Sequence, residues 1–167
     1  MDVAVQSVVT TGRLKAVTHP KPAQAFLITV PTPLNTDRAA DLSYIKTAAE
    51  SLAPVLEAGN LVIVESTSPV GTTEQVSRWL EEARPDLTFP QQAGEDADIL
   101  VAYCPERVMP GKVLHELINN DRIIGGLSLK SSERAIELYK IFLEGECLVT
   151  DVRTAEWSSW RKMLFGT

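Results

Sequence analysis

Residues 61–73 have the sequence LVIVESTSPVGTT, in which a run of apolar side chains leads into a turn with five hydroxyl residues and a glycine. A short apolar run bounded by polar and turn-forming residues is typical of a strand that is buried on both faces. Beyond it, the helical spacing of Val76 and Leu80 predicts a helix that starts at Thr72 and ends before Pro85. A buried strand that leads directly into an amphipathic helix indicates an α/β fold.

The same alternation of apolar runs and helical spacing extends along most of the chain. Pro31 ends an apolar run on the N-terminal side, and Pro105 and the pair Gly125-Gly126 end two more on the C-terminal side. The predicted strands are 26–30, 61–64, 99–103, 122–124 and 147–150, and the predicted helices are 42–56, 72–83, 113–118 and 132–144. Strands and helices that alternate at this spacing predict a parallel sheet with helices on both faces.

The first 24 residues fit two different structures. The β-branched valines between Val3 and Val9 and the turn-like Thr10-Thr11-Gly12 favour a β-hairpin, whereas the spacing of Ala4 and Val8 also fits one face of a helix. The residues alone leave both alternatives open.

The chain is moderately acidic, and its charge is unevenly distributed. The net charge is −6, and nine acidic but only two basic residues lie between Glu57 and Asp98. We interpret this segment as a solvated helix face and an acidic loop over 93–98 rather than as a partner site. Because the chain has neither a basic surface nor an apolar run as long as a membrane span, we expect no nucleic acid or membrane partner and a cytoplasmic location.

The cysteines and histidines form no metal or disulfide pattern. Cys104 and Cys147 lie in or beside apolar runs and have no metal-ligand spacing to His19 or His115. We therefore expect buried thiols, a loop histidine at 19, a helix-surface histidine at 115 and no bound metal.

The carboxyl ends of the first two predicted strands have an unusual composition. Val30-Pro31-Thr32-Pro33 follows the first strand, and Glu65–Thr73 follows the second. Open parallel sheets bind ligands at this edge, and the backbone N–H groups of a helix start attract anions. The turn before Thr72 therefore fits either an anion or ribose site or an ordinary capped turn, because serine, threonine and glycine also cap helices.

The end of the third predicted strand places Glu106 and Arg107 at the same edge of the sheet. The guanidinium of Arg107 suits a phosphate, and the carboxylate of Glu106 suits a hydroxyl group or a water molecule. The alternative is a surface ion pair between the two residues, which the residues alone favour.

Five strings occur in fixed order along the chain: FLITVPTP, VIVESTSPVGTTE, AYCPERVMPGK, DRIIGG and LYKIFLEGECLVT. Together they resemble the UDP-glucose/GDP-mannose dehydrogenase family of nucleotide-sugar dehydrogenases, whose members oxidise a nucleotide-linked hexose twice with NAD. The resemblance extends over roughly residues 5–156. The form CPERVMPG is similar to the UDP-N-acetyl-D-mannosamine dehydrogenase branch of the family rather than to the UDP-glucose branch.

The resemblance implies a fold. The family combines a Rossmann-like NAD domain, a helical linker that forms a dimer and a sugar-nucleotide domain, and this chain resembles the later part of the first domain. We therefore expect an α/β fold with an incomplete Rossmann-like parallel sheet, flanking helices and no first βαβ unit. Residues 1–156 would form a partial NAD-binding domain, and residues 157–167 a divergent C-terminal tail. The resemblance also favours a helix near the N-terminus.

The resemblance also implies roles for individual residues at the strand ends. The segment 30–33 matches the family's adenosine side, Ser66 and Thr67 match the part beside the nicotinamide ribose, and Glu106 matches a glutamate near the nicotinamide. The family's threonine at position 67 helps to place a catalytic water, so Thr67 and Glu106 are the implied catalytic residues. The implied cofactor-binding residues are Val30, Pro31, Thr32, Pro33, Ser66, Thr67 and Glu106, and the implied substrate-side residues are Arg107, Val108, Met109, Pro110 and Gly111.

Several parts of the family's machinery have no match in the sequence. The chain has no GxGxxG turn for phosphates and no GGHC-like string with the nucleophilic cysteine, and Ser159 stands where the family has a catalytic lysine. Pro110 stands where the UDP-glucose branch has a second glutamate, so we assign no base. The oxidation requires a hydride acceptor, a thiol and an oxyanion-stabilising group, and we therefore expect no turnover of a UDP-sugar by this chain alone.

A second hypothesis is a non-catalytic module that oligomerises or binds a nucleotide. A sheet that lacks its neighbouring strands has an open edge, and a second copy of the chain can cover it by pairing or by exchanging elements. We therefore expect a homodimer. In the tail, Trp157, Trp160 and Phe165 either add apolar surface to such an interface or pack on the chain's own sheet.

Overall fold

The computed structural model describes residues 2–36, 39–106 and 111–165. Five strands form one sheet, and their order across the sheet is their order along the chain. Within the described ranges, no helix has both the length and the apolar character that a membrane span requires. The strands are β1 (Ala25–Ile28), β2 (Leu61–Val64), β3 (Leu100–Tyr103), β4 (Arg122–Gly126) and β5 (Cys147–Asp151). The helices are α1 (Asp2–Thr10), α2 (Ser43–Leu52), α3 (Thr72–Ala83), α4 (Pro90–Ala93), α5 (Val113–Asn119), α6 (Leu129–Tyr139) and α7 (Val152–Phe165), with single 3-10 turns at Ala53–Val55 and Gly94–Asp96.

The first three strands are parallel, as the sequence predicts, and every residue of β2 and β3 is buried. Alternate side chains of these two strands enter two separate cores. Val62 and Val101 pack with α2 and α3 on one face, whereas Ile63 and Ala102 pack with α6 on the other. Because helices cover both faces, the central strands consist almost entirely of apolar residues, and this is the pattern that makes them recognisable in the sequence.

The sheet is mostly parallel, as the sequence predicts, and the pairing of β4 with β3 differs from that pattern. β4 is antiparallel to β3, with Ala102 paired to Gly126 and Tyr103 paired to Gly125. A parallel connection requires a crossover helix that packs on a face of the sheet, and α5, which lies between these strands, has no buried residue. The chain therefore turns back along β3 instead of crossing the sheet. α6 then provides a packed crossover, and β5 is parallel to β4.

The N-terminal residues form a helix, α1, which confirms the alternative favoured by the resemblance. This helix and the segment after it project from the body of the chain. The side chains of residues 5–19 are exposed, and the apolar side chains of Val5, Val8 and Val9 remain 45, 38 and 52% exposed. We refer to residues 2–24 as the N-terminal arm.

The last helix runs without a break through residue 156, the expected end of the NAD-binding domain. Val152 and Ala155 in its first turns are buried against the sheet, whereas Trp157 is half exposed and Trp160 is partly buried. The beginning of α7 therefore belongs to the core of the sheet.

The acidic segment between residues 57 and 98 is only partly a solvated surface. Glu65 is buried, and Glu95 and Asp98 accept hydrogen bonds from backbone N–H groups of Lys130 and Thr88. Several carboxylates of this segment therefore stabilise the fold. From the sequence alone, the segment is interpreted only as a solvated helix face and an acidic loop.

Candidate functional site

The carboxyl ends of β1 and β2 are joined by side-chain hydrogen bonds. Ser66 Oγ accepts a hydrogen bond from Val30 N at 2.9 Å and donates one to Val30 O at 2.7 Å. Thr32 Oγ1 donates to Thr67 O at 2.5 Å. The two prolines of the 30–33 segment are exposed beside these contacts. The structure therefore brings together the two segments that the resemblance assigns to the two ends of a dinucleotide, and it holds them at a fixed separation.

The N-terminus of α3 is capped by a residue that is distant in the sequence. Gly71 N donates to Glu156 Oε2 at 2.6 Å, and Thr73 N donates to Glu156 Oε1 at 2.7 Å. Gly71 has a φ of +95°, a left-handed conformation that glycine adopts at low cost. Burial raises the pKa of the Glu156 carboxyl, and its backbone hydrogen bonds only partly oppose this effect. Of the two sequence alternatives, this helix start is a capped turn, because the chain's own carboxylate takes these N–H groups.

Three other helix N-termini are also occupied by carboxylates of the chain. Asp41, Glu95 and Asp151 accept hydrogen bonds from backbone N–H groups in the first turns of α2, α6 and α7. A pyrophosphate is held by unpaired N–H groups at a helix start or a glycine-rich turn. These four helix starts therefore offer no cradle for a pyrophosphate.

Thr67 lies against α7. Ser159 Oγ donates to Thr67 Oγ1 at 3.4 Å, so the position where the family has a lysine faces the threonine that the resemblance places at the reaction centre. Nearby, the hydroxyls of Ser68 and Thr73 are buried without a hydrogen-bond partner among the described residues. At the end of β3, burial raises the pKa of Tyr103, so its hydroxyl stays protonated. This region has hydrogen-bonding capacity left for a water molecule or another polar group.

A buried polar cluster follows the ends of β2 and β3. Tyr139 Oη donates to Glu65 Oε1 at 2.5 Å, and the Arg122 guanidinium lies 5.2 Å from the centre of the Tyr139 ring. Burial raises the pKa of Glu65, while the hydrogen bond from Tyr139 and the charge of Arg122 act in the opposite direction. Burial also raises the pKa of the Cys104 thiol to about 12, so Cys104 is not a nucleophile at neutral pH.

Glu106 is exposed at the end of β3, and its negative charge contributes to the raised pKa of Glu65. The third strand end therefore places a carboxylate at the same edge as the ends of β1 and β2. Gly111, with a φ of +96°, lines a cavity of about 650 Å³ together with residues 112–115. Four residues that the resemblance places on the substrate side lie outside the described residues: Arg107, Val108, Met109 and Pro110.

The cysteines and histidines are separate from one another in the part of the chain that the structure describes. Cys104 and Cys147 are free thiols, and no group of three or more potential ligands in these ranges is arranged to hold a metal ion. His19 lies in the exposed arm, and His115 lies on the exposed side of α5.

Two parts of this edge were not predicted from the sequence. The Glu156 cap joins residues about 85 positions apart, and no local pattern marks such a contact. Glu65 offered one signal, since a carboxylate that directly follows a fully buried strand requires a partner. The identity of that partner, Tyr139, depends on how α6 packs on the sheet.

Comparison with protein families gives a match over residues 1–143 to the NAD binding domain of the UDP-glucose/GDP-mannose dehydrogenase family. A UDP-N-acetyl-D-mannosamine dehydrogenase of Yersinia pestis is 63% identical over 156 residues, which are 93% of this chain and 37% of that protein. An NDP-N-acetyl-D-galactosaminuronic acid dehydrogenase of Ralstonia nicotianae is 59% identical over the same shares of the two chains. The chain therefore spans little more than a third of the length of these relatives.

Solved structures of similar proteins have the same fold. A UDP-N-acetyl-mannosamine dehydrogenase of Staphylococcus aureus superposes with a TM-score of 0.86 at 39% identity, covering 95% of this chain and 37% of that one. A UDP-D-ManNAc dehydrogenase of Pyrococcus horikoshii gives a TM-score of 0.82 at 41% identity, covering 92% of this chain and 36% of that one. The sheet and its flanking helices are thus a Rossmann-like arrangement found in dehydrogenases.

Proposed function

Because the chain belongs to the UDP-glucose/GDP-mannose dehydrogenase family, we propose that it is the NAD-binding part of an NAD-dependent UDP-N-acetylmannosamine 6-dehydrogenase. The reaction would oxidise the sugar's primary alcohol in two steps to the uronate. The observation that carries the proposal is the joining of the strand ends through Ser66 and Val30, because the resemblance assigns the two joined segments to the dinucleotide. The 63% identity to a relative with this activity supports the choice of sugar.

The residues of the chain would have distinct tasks at this edge. Ser66 and Thr32 hold the loops after β1 and β2 together, since their hydroxyls are already bonded within the chain. Thr67 Oγ1 would orient a water molecule beside α7, and Glu106 would accept a proton or hold a hydroxyl at the end of β3. NAD, when bound, supplies the hydride acceptor.

We propose further that the chain on its own does not oxidise a UDP-sugar. The reaction needs a thiolate to form the thioester, and burial keeps Cys104 protonated, with its pKa raised to about 12. The starts of α2, α3, α6 and α7 hold carboxylates of the chain, so these four helix starts would not bind the pyrophosphate of NAD. We expect NAD to bind weakly, through its nicotinamide and ribose side.

Spectrophotometry and NMR together test these statements. Purified chain mixed with NAD and UDP-N-acetylmannosamine should give no NADH absorbance, and detectable NADH would contradict the proposed inactivity. NAD titrated to millimolar concentration into the 15N-labelled chain should shift the backbone resonances of Val30, Ser66 and Thr67. Shifts absent there but present elsewhere would contradict the proposed site.

A cytoplasmic location follows from the same proposal. NAD-dependent oxidation of a nucleotide sugar uses cytoplasmic substrates, and the two thiols remain unpaired in the structure, as is usual in reducing compartments.

A further inference from the structure

Three polar side chains interrupt the apolar core between the sheet and α6, and the proposed reaction gives none of them a task. Glu65 follows β2, Arg122 begins β4 and Tyr139 ends α6, and their exposed fractions are only 9, 2 and 1%. Buried polar and charged groups lose their hydration, and apolar residues of similar volume often stabilise a core as well or better. Stability alone therefore does not explain a polar cluster at this depth.

The three side chains restrain one another. The Arg122 guanidinium lies 5.2 Å from the centre of the Tyr139 ring, and Tyr139 Oη donates a hydrogen bond to Glu65 Oε1 at 2.5 Å. A cation is attracted to an aromatic face, so Arg122 restrains the ring, and the hydroxyl of the ring restrains the carboxyl. Burial raises the pKa of Glu65, whereas the hydrogen bond from Tyr139 and the charge of Arg122 oppose this rise. The Glu65 side chain is therefore fixed from the α6 side of the sheet.

Glu65 is the first residue of the turn that contains Ser66 and Thr67, and each of these three residues is held from a different direction. Tyr139 holds Glu65 from α6. Ser66 Oγ bonds to the backbone of the loop after β1, and Thr67 Oγ1 accepts a hydrogen bond from Ser159 Oγ in α7 at 3.4 Å. The contact of Glu65 is buried, whereas that of Thr67 is long and only partly buried. The position of Thr67 therefore depends on the residues that precede it.

We propose that Tyr139 is a positioning residue for Thr67, because its hydroxyl, through Glu65, fixes the start of the turn from which Thr67 orients a water molecule. The inference rests on the proposed function, in which Thr67 has this task. Tyr139 is buried and does not reach a substrate, so it acts only through Glu65. A displacement of about 1 Å at a reacting group can cost about 100-fold in rate, so the support behind such a group affects catalysis.

Tyr139→Phe is the substitution that isolates this effect. It removes one oxygen and keeps the ring in the core, but the Glu65 carboxyl loses its donor in an apolar environment. The carboxyl would then turn towards water and move the turn with it. Tyr44→Phe is the matched control, since Tyr44 is 50% exposed on α2 and also loses only its hydroxyl.

Three-bond NMR couplings to the methyl carbon of Thr67 measure its χ1 angle in the chain alone. We expect the values of a single staggered rotamer in the original chain and in Tyr44→Phe, and averaged values in Tyr139→Phe. A general loss of stability would not average one side chain in a chain that remains folded, so the couplings separate positioning from stability. A Thr67 rotamer that is unchanged in Tyr139→Phe, or already averaged in the original chain, would overturn the inference.

Kinetics in a complete enzyme test the consequence for catalysis. A chimera in which the matching 156 residues of this chain replace those of the Yersinia pestis relative provides one. In it, Tyr139→Phe should lower kcat by about tenfold or more and change the KM for UDP-N-acetylmannosamine by less than about twofold, because Thr67 acts on the water and not on the sugar. Glu65→Ala should have the same effect. Glu65→Gln keeps an acceptor for the Tyr139 hydroxyl and should recover most of the kcat that Glu65→Ala loses.

The outcomes distinguish this inference from the proposed function. An unsubstituted chimera that forms no NADH would contradict the proposed function, and the Thr67 couplings would then decide on the positioning alone. An active chimera in which Tyr139→Phe matches Tyr44→Phe, or in which Glu65→Gln is as slow as Glu65→Ala, would contradict the positioning role. If circular dichroism shows that Tyr139→Phe does not fold, the two Glu65 variants replace it in both measurements.

Discussion

The carboxylate of Glu156 in α7 accepts a hydrogen bond from Gly71 N at the start of α3, at 2.6 Å. This contact fastens the last helix to the loop that follows β2, and it fills the position that an anionic ligand would otherwise take. The loop after β2 is therefore shaped by a distant residue, and its geometry depends on the integrity of α7.

We predict that Glu156→Ala destabilises the chain. The substitution leaves the N–H groups of Gly71 and Thr73 without partners, and unpaired buried donors cost about 1–3 kcal/mol. Urea denaturation followed by circular dichroism measures the free energy of unfolding. Glu137→Gln, on the exposed face of α6, is the matched control and should change it by less than about 0.5 kcal/mol. Equal effects of the two substitutions would contradict the assigned role of the cap.

The pH dependence of stability provides a second prediction. Burial raises the pKa of Glu65 in the folded chain above its value in the unfolded chain, so the folded state holds this proton more tightly. The free energy of unfolding should therefore fall as the pH rises from about 4.5 through the raised pKa, and then level off. Glu65→Gln cannot lose a proton and keeps an acceptor for Tyr139. Between pH 5 and pH 8, the free energy of unfolding of Glu65→Gln should therefore change less than that of the original chain.

The measurement is chemical denaturation of both proteins at several pH values in this range. The exposed carboxylates with lowered pKa values, such as Asp41 and Asp151, are ionised in both states above pH 5 and do not contribute to the slope. Glu156, whose pKa burial also raises, contributes to the slope of both proteins. A slope for Glu65→Gln as steep as that of the original chain would therefore exclude Glu65 as a second source.

Close packing of β4 against α7 gives a third prediction. A Cβ at position 125 would lie 2.6 Å from Val152 Cα and 2.9 Å from Asp151 O, both of which are backbone atoms. Gly125→Ala should therefore force the strand and the helix apart, at a cost of about 1–3 kcal/mol by thermal unfolding. Gly12→Ala in the exposed arm meets no atom within 4 Å, and its cost should be limited to about 1 kcal/mol from its positive φ. A larger effect at position 12 would contradict this packing.

The regular elements could be predicted from the sequence where local pattern and packing agree. The helix expected from Thr72 to Ala83 is α3 with the same bounds, because a glycine and a proline enclose its apolar stripe. The antiparallel direction of β4 could not be predicted, because no residue of 122–124 indicates whether the preceding helix crosses the sheet. The cap by Glu156 could not be predicted either, because no local sequence pattern indicates that α7 packs beside the start of α3.

In the candidate site, too, the sequence predicted what local composition marks and missed what long-range contacts decide. The composition of the strand ends pointed to one edge of the sheet, and the structure brings Val30, Thr32, Ser66 and Thr67 together there. The choice between a ligand site and a capped turn at α3 depended on a long-range contact, so the sequence left it open.

The proposed catalytic residue Glu106 gives a fourth prediction. Its test needs a complete enzyme, which a chimera with a full-length relative provides. The 156 residues of this chain that match the Yersinia pestis relative would replace their counterparts in that protein. In that chimera, Glu106→Gln should lower kcat by about 100-fold or more, because an amide can neither accept nor release the proton. Glu137→Gln should leave kcat unchanged, and equal rates for both variants would remove Glu106 from the mechanism.

The unsubstituted chimera is the most direct test of the central claim, that this chain is the NAD-binding part of a UDP-N-acetylmannosamine dehydrogenase. The measurement is NADH formation at saturating NAD and UDP-N-acetylmannosamine, compared with the intact Yersinia pestis protein. The proposed function predicts a kcat within about tenfold of the intact protein, since a difference of 1.4 kcal/mol in the barrier corresponds to one factor of ten. A chimera that folds and binds UDP-N-acetylmannosamine but neither binds NAD nor forms NADH would contradict it.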